Sequence, residues 1–214
     1  MSHSRTHETI ILQTYDIGEA DRFCILLTKE RGRLAARARG VRKLTSRMGG
    51  SLLQLSRTRI ELHEGKGGLL ITGAYNQCAT KPNSIEMFVQ AQKGIELLMQ
   101  LLEDDDALPE IFDLTEEFLD TCTKGTTNII LPFTVRLLFL LGLLPRIQNR
   151  NTPEEEMELI QKYLQVCTTK EWQSHDQTPS ENGMQLITAA CDEIIVQHTR
   201  SELRVSKIAA SMAL

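Results

Sequence analysis

Between Lys29 and Arg47 the chain reads KERGRLAARARGVRKLTSR, which places Lys29, Arg31, Arg33, Arg37, Arg39, Arg42, Lys43 and Arg47 in one short segment. A guanidinium is a planar fork that matches phosphate oxygens, so a dense run of arginines is chemistry suited to a polyanion. In an extended strand, side chains alternate between faces. Arg31, Arg33, Arg37 and Arg39 then project together, while Leu34, Ala36 and Ala38 face a core. Ser46-Arg47 and the pair Gly49-Gly50 follow; glycine lets backbone approach phosphates closely and serine can donate to them. Arg57 and Arg59 share a face of the next extended run and widen the patch. The candidate polyanion-binding residues are therefore Arg31, Arg33, Arg37, Arg39, Arg42, Lys43, Arg47 and Arg57.

Other chemistry finds less support. Glu19 and Asp21 in the segment Gly18-Glu19-Ala20-Asp21-Arg22 suit a polar hairpin turn better than an acid–base pair. The acidic run Glu103–Asp106 lacks the spaced ligands of a calcium loop and reads as a solvated boundary. His3, His7, His63, His175 and His198 show no paired spacing, so neither a zinc site nor a Cys–His dyad is indicated. A hydrolase built on Cys24 or Cys78 with a histidine is a poor third reading, because nothing places a base beside either thiol. No phosphate loop of the nucleotide-hydrolase type appears. No catalytic residue, metal ligand or cofactor site is assigned.

The elements that must carry the arginines are strands. ETIILQTYDI, RFCILLTKE, RGRLAARARGV, SLLQLSRTRIELHEG and GGLLITGAYNQC are five β-type runs, separated by turn signals at Gly18-Glu19, Arg31-Gly32, Gly49-Gly50 and Gly65-Lys66-Gly67. Their lengths, and the link from Lys43 to Gly50 between the third and fourth, fit a five-stranded, partly open barrel of OB type; an SH3-like barrel is the nearest competitor. After Lys81-Pro82 the texture becomes helical. Ser84 caps a helix to about Leu102, and further helices are expected near 108–122, 128–143, 152–167, 180–200 and 203–212. Thr152 before Pro153 is a good helix start, and Trp172 to Gly183 reads as a loop. The fold class is thus α+β in two domains, an OB-type barrel over 1–80 and an all-helical domain over 81–214.

At 214 residues and 41% hydrophobic content the chain is an ordinary globular one. Its net charge of −4 hides a split: residues 1–80 hold 13 Lys and Arg against 7 Asp and Glu, and the rest 11 against 21. Such asymmetry points to nucleic acid or membrane contact by the basic part. Aromatic residues are scarce among the first 80, only Tyr15, Phe23 and Tyr75, so a base-stacking platform is thin and electrostatic tracking of a backbone should dominate. Neutralising about five phosphates gives a log–log salt slope of roughly −3.5 to −4.5. The five cysteines are dispersed, no basic start followed by a long apolar run opens the chain, and the most apolar stretch is interrupted by Pro132 and Arg136. A cytoplasmic, soluble protein without disulfides or a membrane span is the expectation.

The segment GEADRFCILLTKERGRLAARARGVRKLTSRMGGSLLQL resembles the amino-terminal signature of the bacterial RecO family of recombination mediators. The matching features are Gly18-Glu19-x-Asp21-Arg22, Thr28, Gly32, Arg39-Gly40-x-Arg42-Lys43, Ser46-Arg47 and Gly49-Gly50. Phe133-x-x-Arg136-Leu137-Leu138 followed by Leu141-Gly142-Leu143-x-Pro145 is similar to a helix of the family's second domain, and Leu203-Arg204-x-Ser206-Lys207 resembles its carboxy-terminal end. The resemblance implies a non-enzymatic mediator that binds single- and double-stranded DNA and anneals complementary strands. It also implies partners: the acidic, hydrophobic tail of the single-strand-binding protein SSB, RecR, and functionally RecA, which it helps onto SSB-coated DNA. Such a protein works in the bacterial cytoplasm, at the nucleoid when on DNA. Arg39, Arg42, Lys43 and Arg47 inherit the DNA-contact role. Phe133, Arg136 and Leu137 are candidates for the SSB-tail pocket, an exposed Arg136 beside two apolar side chains being able to take a carboxylate and an apolar group together. One departure is informative: many members carry a four-cysteine zinc site after the Leu-Gly-Leu-x-Pro element, whereas here RIQNRNTPEEE holds no cysteine, so no zinc finger is expected. An OB-fold module that binds RNA is the alternative, and recognition of the 2′-hydroxyl would separate the two.

Overall fold

A computed structural model of the chain describes residues 5–65, 67–125, 128–149, 151–173 and 178–199. The expected helix at 203–212 and the Leu203–Lys207 motif lie outside them. Five strands come first: β1 (Arg5–Ile17), β2 (Asp21–Thr28), β3 (Gly32–Ala38), β4 (Ser56–Gly65) and β5 (Gly68–Ala79). They form a closed barrel in the order β1-β2-β3-β5-β4. β1 is long enough to serve two neighbours. Its first half pairs with β4, from Arg5↔Leu62 to Ile10↔Arg57, and the part from Thr9 onward pairs with β2, ending at Ile17↔Asp21. A short parallel ladder, Ala36↔Leu69 to Ala38↔Ile71, joins β3 to β5 and closes what the strand lengths alone suggested was partly open. This is the OB order rather than an SH3-like one.

Alternation along β3 runs as the sequence demands. Leu34, Ala36 and Ala38 are buried with Ile11, Cys24, Leu26, Ile60, Leu62 and Ile71, and the intervening positions face outward. Because the side-chain period is two, slipping β3 by one residue would drive guanidinium groups into this core, so the register is strongly specified.

Five helices follow: α1 (Ile85–Leu101), α2 (Pro109–Lys124), α3 (Ile130–Leu140), α4 (Glu154–Cys167) and α5 (Glu181–Thr199). Ser84 Oγ accepts from Met87 N at 3.1 Å and caps α1 as expected. At α4 the cap position is held by Pro153, with extended ψ, and not by Thr152. By contacts the chain divides into two units that are not contiguous in sequence: Met1–Asn83 with Leu102–Lys124, and Ser84–Leu101 with Gly125–Leu214. A cut after residue 80 separates strands from helices along the chain, but α2 packs with the strands.

The apolar face of α2, with Ile111, Phe112, Leu114, Phe118 and Leu119, is buried, and ion pairs add to the contact. The run Glu103–Asp106, expected to be only solvated, straps the β2–β3 turn: Asp105 N donates to Arg33 O at 2.9 Å, Arg33 Nε donates to Asp104 Oδ1 at 2.6 Å, and Arg31 pairs with Asp105. Gly32 is required here. Its φ is +70°, and a Cβ would lie 1.7 Å from the carbonyl oxygen of Asp106. Further along, Lys29 Nζ meets Asp113 at 2.6 Å above the ring of Phe112, and Arg57 makes a two-pronged pair with Asp120 at 2.7 and 3.3 Å. Counted with 102–124, the barrel unit holds 15 Lys and Arg against 16 Asp and Glu, so the charge split between the two parts of the chain disappears within this unit.

In the second unit Gln90, buried on α1, accepts from Ile129 N (3.0 Å) and Ile130 N (3.2 Å), satisfying donors left open at the start of α3. Phe133 and Leu137 are wholly buried, and Phe133 packs edge-on against the buried Trp172 at 6.4 Å. Trp172 thus anchors the start of a segment that reads as a plain loop in the sequence.

Asp120 is 44% exposed and pairs with Arg57 through both oxygens, whereas Asp104 is 65% exposed. Asp120→Ala should therefore lower the unfolding free energy by about 1–2 kcal/mol and Asp104→Ala by less than about 1 kcal/mol. Urea titration of the full chain measures both.

Candidate nucleic-acid interface

The link between β3 and β4, residues 39–55, carries Arg39, Arg42, Lys43 and Arg47, all exposed. It contains no helix, so its shape must come from anchors. Apolar anchors come first: Val41, Leu52 and Leu55 are buried, with Val41 and Leu52 in the barrel core and Met48 packed against it. Polar anchors come from the β1–β2 hairpin. Asp21 accepts from Gly40 N at 2.7 Å through one oxygen and from Arg37 at 2.9 and 2.6 Å through the other. Arg42 N donates to Ala20 O (2.9 Å), and the Arg42 guanidinium reaches Gly18 O (2.9 Å) and Asp16 (3.3 Å). Asp16 also holds Arg22 at 3.0 Å, and Arg22 donates to Leu52 O at the far end of the link.

Gly40 sits at φ +65°, a conformation natural to glycine, and its N–H is fixed by a carboxylate. The turn is therefore set by residues of the Gly18-Glu19-x-Asp21-Arg22 motif. The hydrogen bond from Gly40 N, then that from Arg37, holds the Asp21 carboxyl below the ordinary carboxylate range. Asp21 is thus ionised at neutral pH.

The eight candidate cations fall into three groups. Arg31, Arg33 and Arg57 are neutralised by Asp105, Asp104 and Asp120, and Glu116 also lies 3.6 Å from Arg57. These three face outward as the alternation requires, and carboxylates of residues 104–120 pair with them. Arg37 and Arg42 are tied to Asp21 and Asp16 yet remain partly open to solvent. Arg39, Lys43 and Arg47 have no carboxylate within ion-pairing distance among the described residues and stand on the anchored link beside the exposed Leu44. Arg59, outside the eight, lies 3.6 Å from Glu8.

The proposed tail pocket does not form as expected. Phe133 and Leu137 are core residues with no exposed surface, and Arg136 donates to the carbonyl of Thr168, which caps α4, while lying over the Phe139 ring at 5.4 Å. An arginine on a helix C-terminus satisfies carbonyls that the helix leaves open.

Four of the thiols are buried. Cys24 is fully buried, and burial pushes its thiol up to about 11; Cys122, Cys167 and Cys191 are likewise pushed up to about 12. Cys78 is exposed and lies 3.7 Å from the Arg57 guanidinium. Among the described residues, no group of three or more His, Cys, Asp or Glu side chains is placed to hold a metal ion, and no helix is long and apolar enough to cross a membrane.

The site is thus an OB barrel with an anchored cationic link, and helices follow it in the chain. The comparisons make this specific. Residues 1–74 match the family model described as Recombination protein O N terminal, and residues 82–166 match that described as Recombination protein O C terminal. The DNA repair protein RecO of Myxococcus xanthus is 31% identical over 152 residues, 66% of this chain and 60% of that protein. That of Heliobacterium modesticaldum is 34% identical over 145 residues, 65% of this chain and 52% of its own length. The DNA repair protein RecO of a Nocardioides species reaches 46% over 67 residues. The chain belongs to the RecO family of DNA repair and recombination proteins. It spans a little over half the length of the first two relatives.

Asp21→Asn should loosen the link without unfolding the barrel, seen as faster amide exchange at Gly40 and Arg42. In the wild type the same loss should appear only in acid. A carboxyl whose folded value is lowered keeps its contribution above the unfolded value of about 3.9 and loses it as pH falls through the folded one.

Proposed function

We propose that this chain is a non-catalytic recombination mediator that holds DNA along its β3–β4 link. On this reading it binds both single and double strands, anneals complementary strands without ATP, and acts with RecR to help RecA load onto SSB-coated DNA. The observation that carries the reading is the fate of the cations. Among the described residues five of the eight are tied to carboxylates, and the other three, Arg39, Lys43 and Arg47, lie on one anchored link. A polyanion that approaches this unit meets unpaired positive charge there and compensated charge on the strands.

The relatives' names supply the DNA repair setting, and the barrel order suits nucleic acid. Contact with the SSB tail belongs to the proposal as a partner assignment, but Phe133 and Leu137 are not its surface, since both are buried. Arg136 is committed to the end of α4.

Replacing Arg39, Lys43 and Arg47 together by alanine should weaken binding to single- and double-stranded DNA alike. The log–log salt slope on single strands should become shallower by about 2. Replacing Arg31, Arg33 and Arg57 should lower stability and leave that slope nearly unchanged. An unaltered slope in the first variant, or RNA outcompeting DNA of equal length, would overturn the assignment.

A further inference from the structure

We propose that the outer face of β1, β2 and β3 carries a stacking platform for unpaired bases, formed by Tyr15, Phe23 and the flat guanidinium of Arg37; this deepens, and rests on, the DNA-binding reading. The sequence spreads these residues over 23 positions, but the registers Tyr15↔Phe23 and Phe23↔Arg37 place them in one transverse row across three strands. Residues directly opposite in antiparallel strands share a face. That face is the outer one, because the adjacent Cys24, Ala36 and Ala38 point into the core. Tyr15 is 47% exposed and the Arg37 side chain 45%, with Phe23 half-buried between them. Ile17, also exposed, extends the apolar surface beyond Tyr15.

Arg37 is built to stack rather than to clamp. Its Nε and Nη2 are engaged by the Asp21 carboxylate at 2.9 and 2.6 Å, so that edge is occupied and the plane is fixed. What a held guanidinium presents is its face, which stacks on aromatic rings and bases. Two residues further on is Arg39, then the turn at Gly40 and the link with Lys43 and Arg47. Charge complementarity therefore selects the occupant: a single strand whose phosphates follow the link and whose bases turn onto the row. In a duplex the bases are already stacked on one another, and the platform finds no partner.

The test is fluorescence anisotropy of the full chain with three probes of equal length: oligo-dT, the same backbone with abasic sites, and a blunt duplex. Wild type should bind oligo-dT about 5- to 150-fold more tightly than the abasic strand. Tyr15→Ala should lose that factor on oligo-dT, keep the wild-type salt slope, and change abasic and duplex binding less than about twofold; Tyr15→Phe should behave as wild type. Because Trp172 is buried, a Tyr15→Trp variant adds an exposed indole that oligo-dT should quench and the duplex should not. Equal wild-type affinity for oligo-dT and abasic strand overturns the platform without recourse to any variant. So does an equal loss by Tyr15→Ala on all three probes, or a change in sedimentation showing that the patch holds a second copy. If wild type binds none of the probes, the DNA-binding reading falls as well; if it binds with the expected slope but ignores bases, only the platform falls.

Discussion

Pairing between guanidinium groups and carboxylates decides what this barrel can do. A segment with eight cations would, left alone, be a diffuse polyanion trap. The chain answers it with acidic residues drawn from two places. Asp16 and Asp21 come from the neighbouring hairpin and shape the cationic link; Asp104, Asp105 and Asp120 come from beyond α1 and cancel the charge on the strands. Exposed pairs of this kind contribute little stability individually. Their larger effect is allocation, since they determine which arginines are structural, which are positioned, and which are open to a ligand.

Much of the barrel is legible in the residues because its period is two. Leu34, Ala36 and Ala38 alternating with Arg33 and Arg37 leave one assignment of faces, and glycine at 18, 32 and 40 punctuates the strands where φ is positive. The helices are legible too, through Ser84 and the recurring apolar positions of α1. Partners distant in sequence are what cannot be read. Arg33 and Asp104 are 71 positions apart and Arg57 and Asp120 are 63 apart, and no local pattern joins them. The stacking row was hidden for the same reason: three residues count as sparse until the strand register lines them up.

The α3 motif shows the converse failure. Phe133, Arg136 and Leu137 look like a surface trio because an arginine lies among them, and helical spacing puts Phe133 and Leu137 on one side with Arg136 near it. The helix settles the matter by burying both apolar members against elements that include Trp172, leaving the arginine to reach the end of α4. Spacing identified a face of the helix, and packing showed that the face is interior.

The interleaved path of the chain has a practical corollary. The strands end near residue 80, so the obvious minimal fragment stops there, yet the acids that quench Arg31, Arg33 and Arg57 lie at 104–120. An excised barrel of residues 1–80 would carry a net charge of +6, bare the apolar residues beneath α2, and present three extra arginines to any anion in solution. Such a fragment would attract anions through severed internal salt links rather than through a recognition surface.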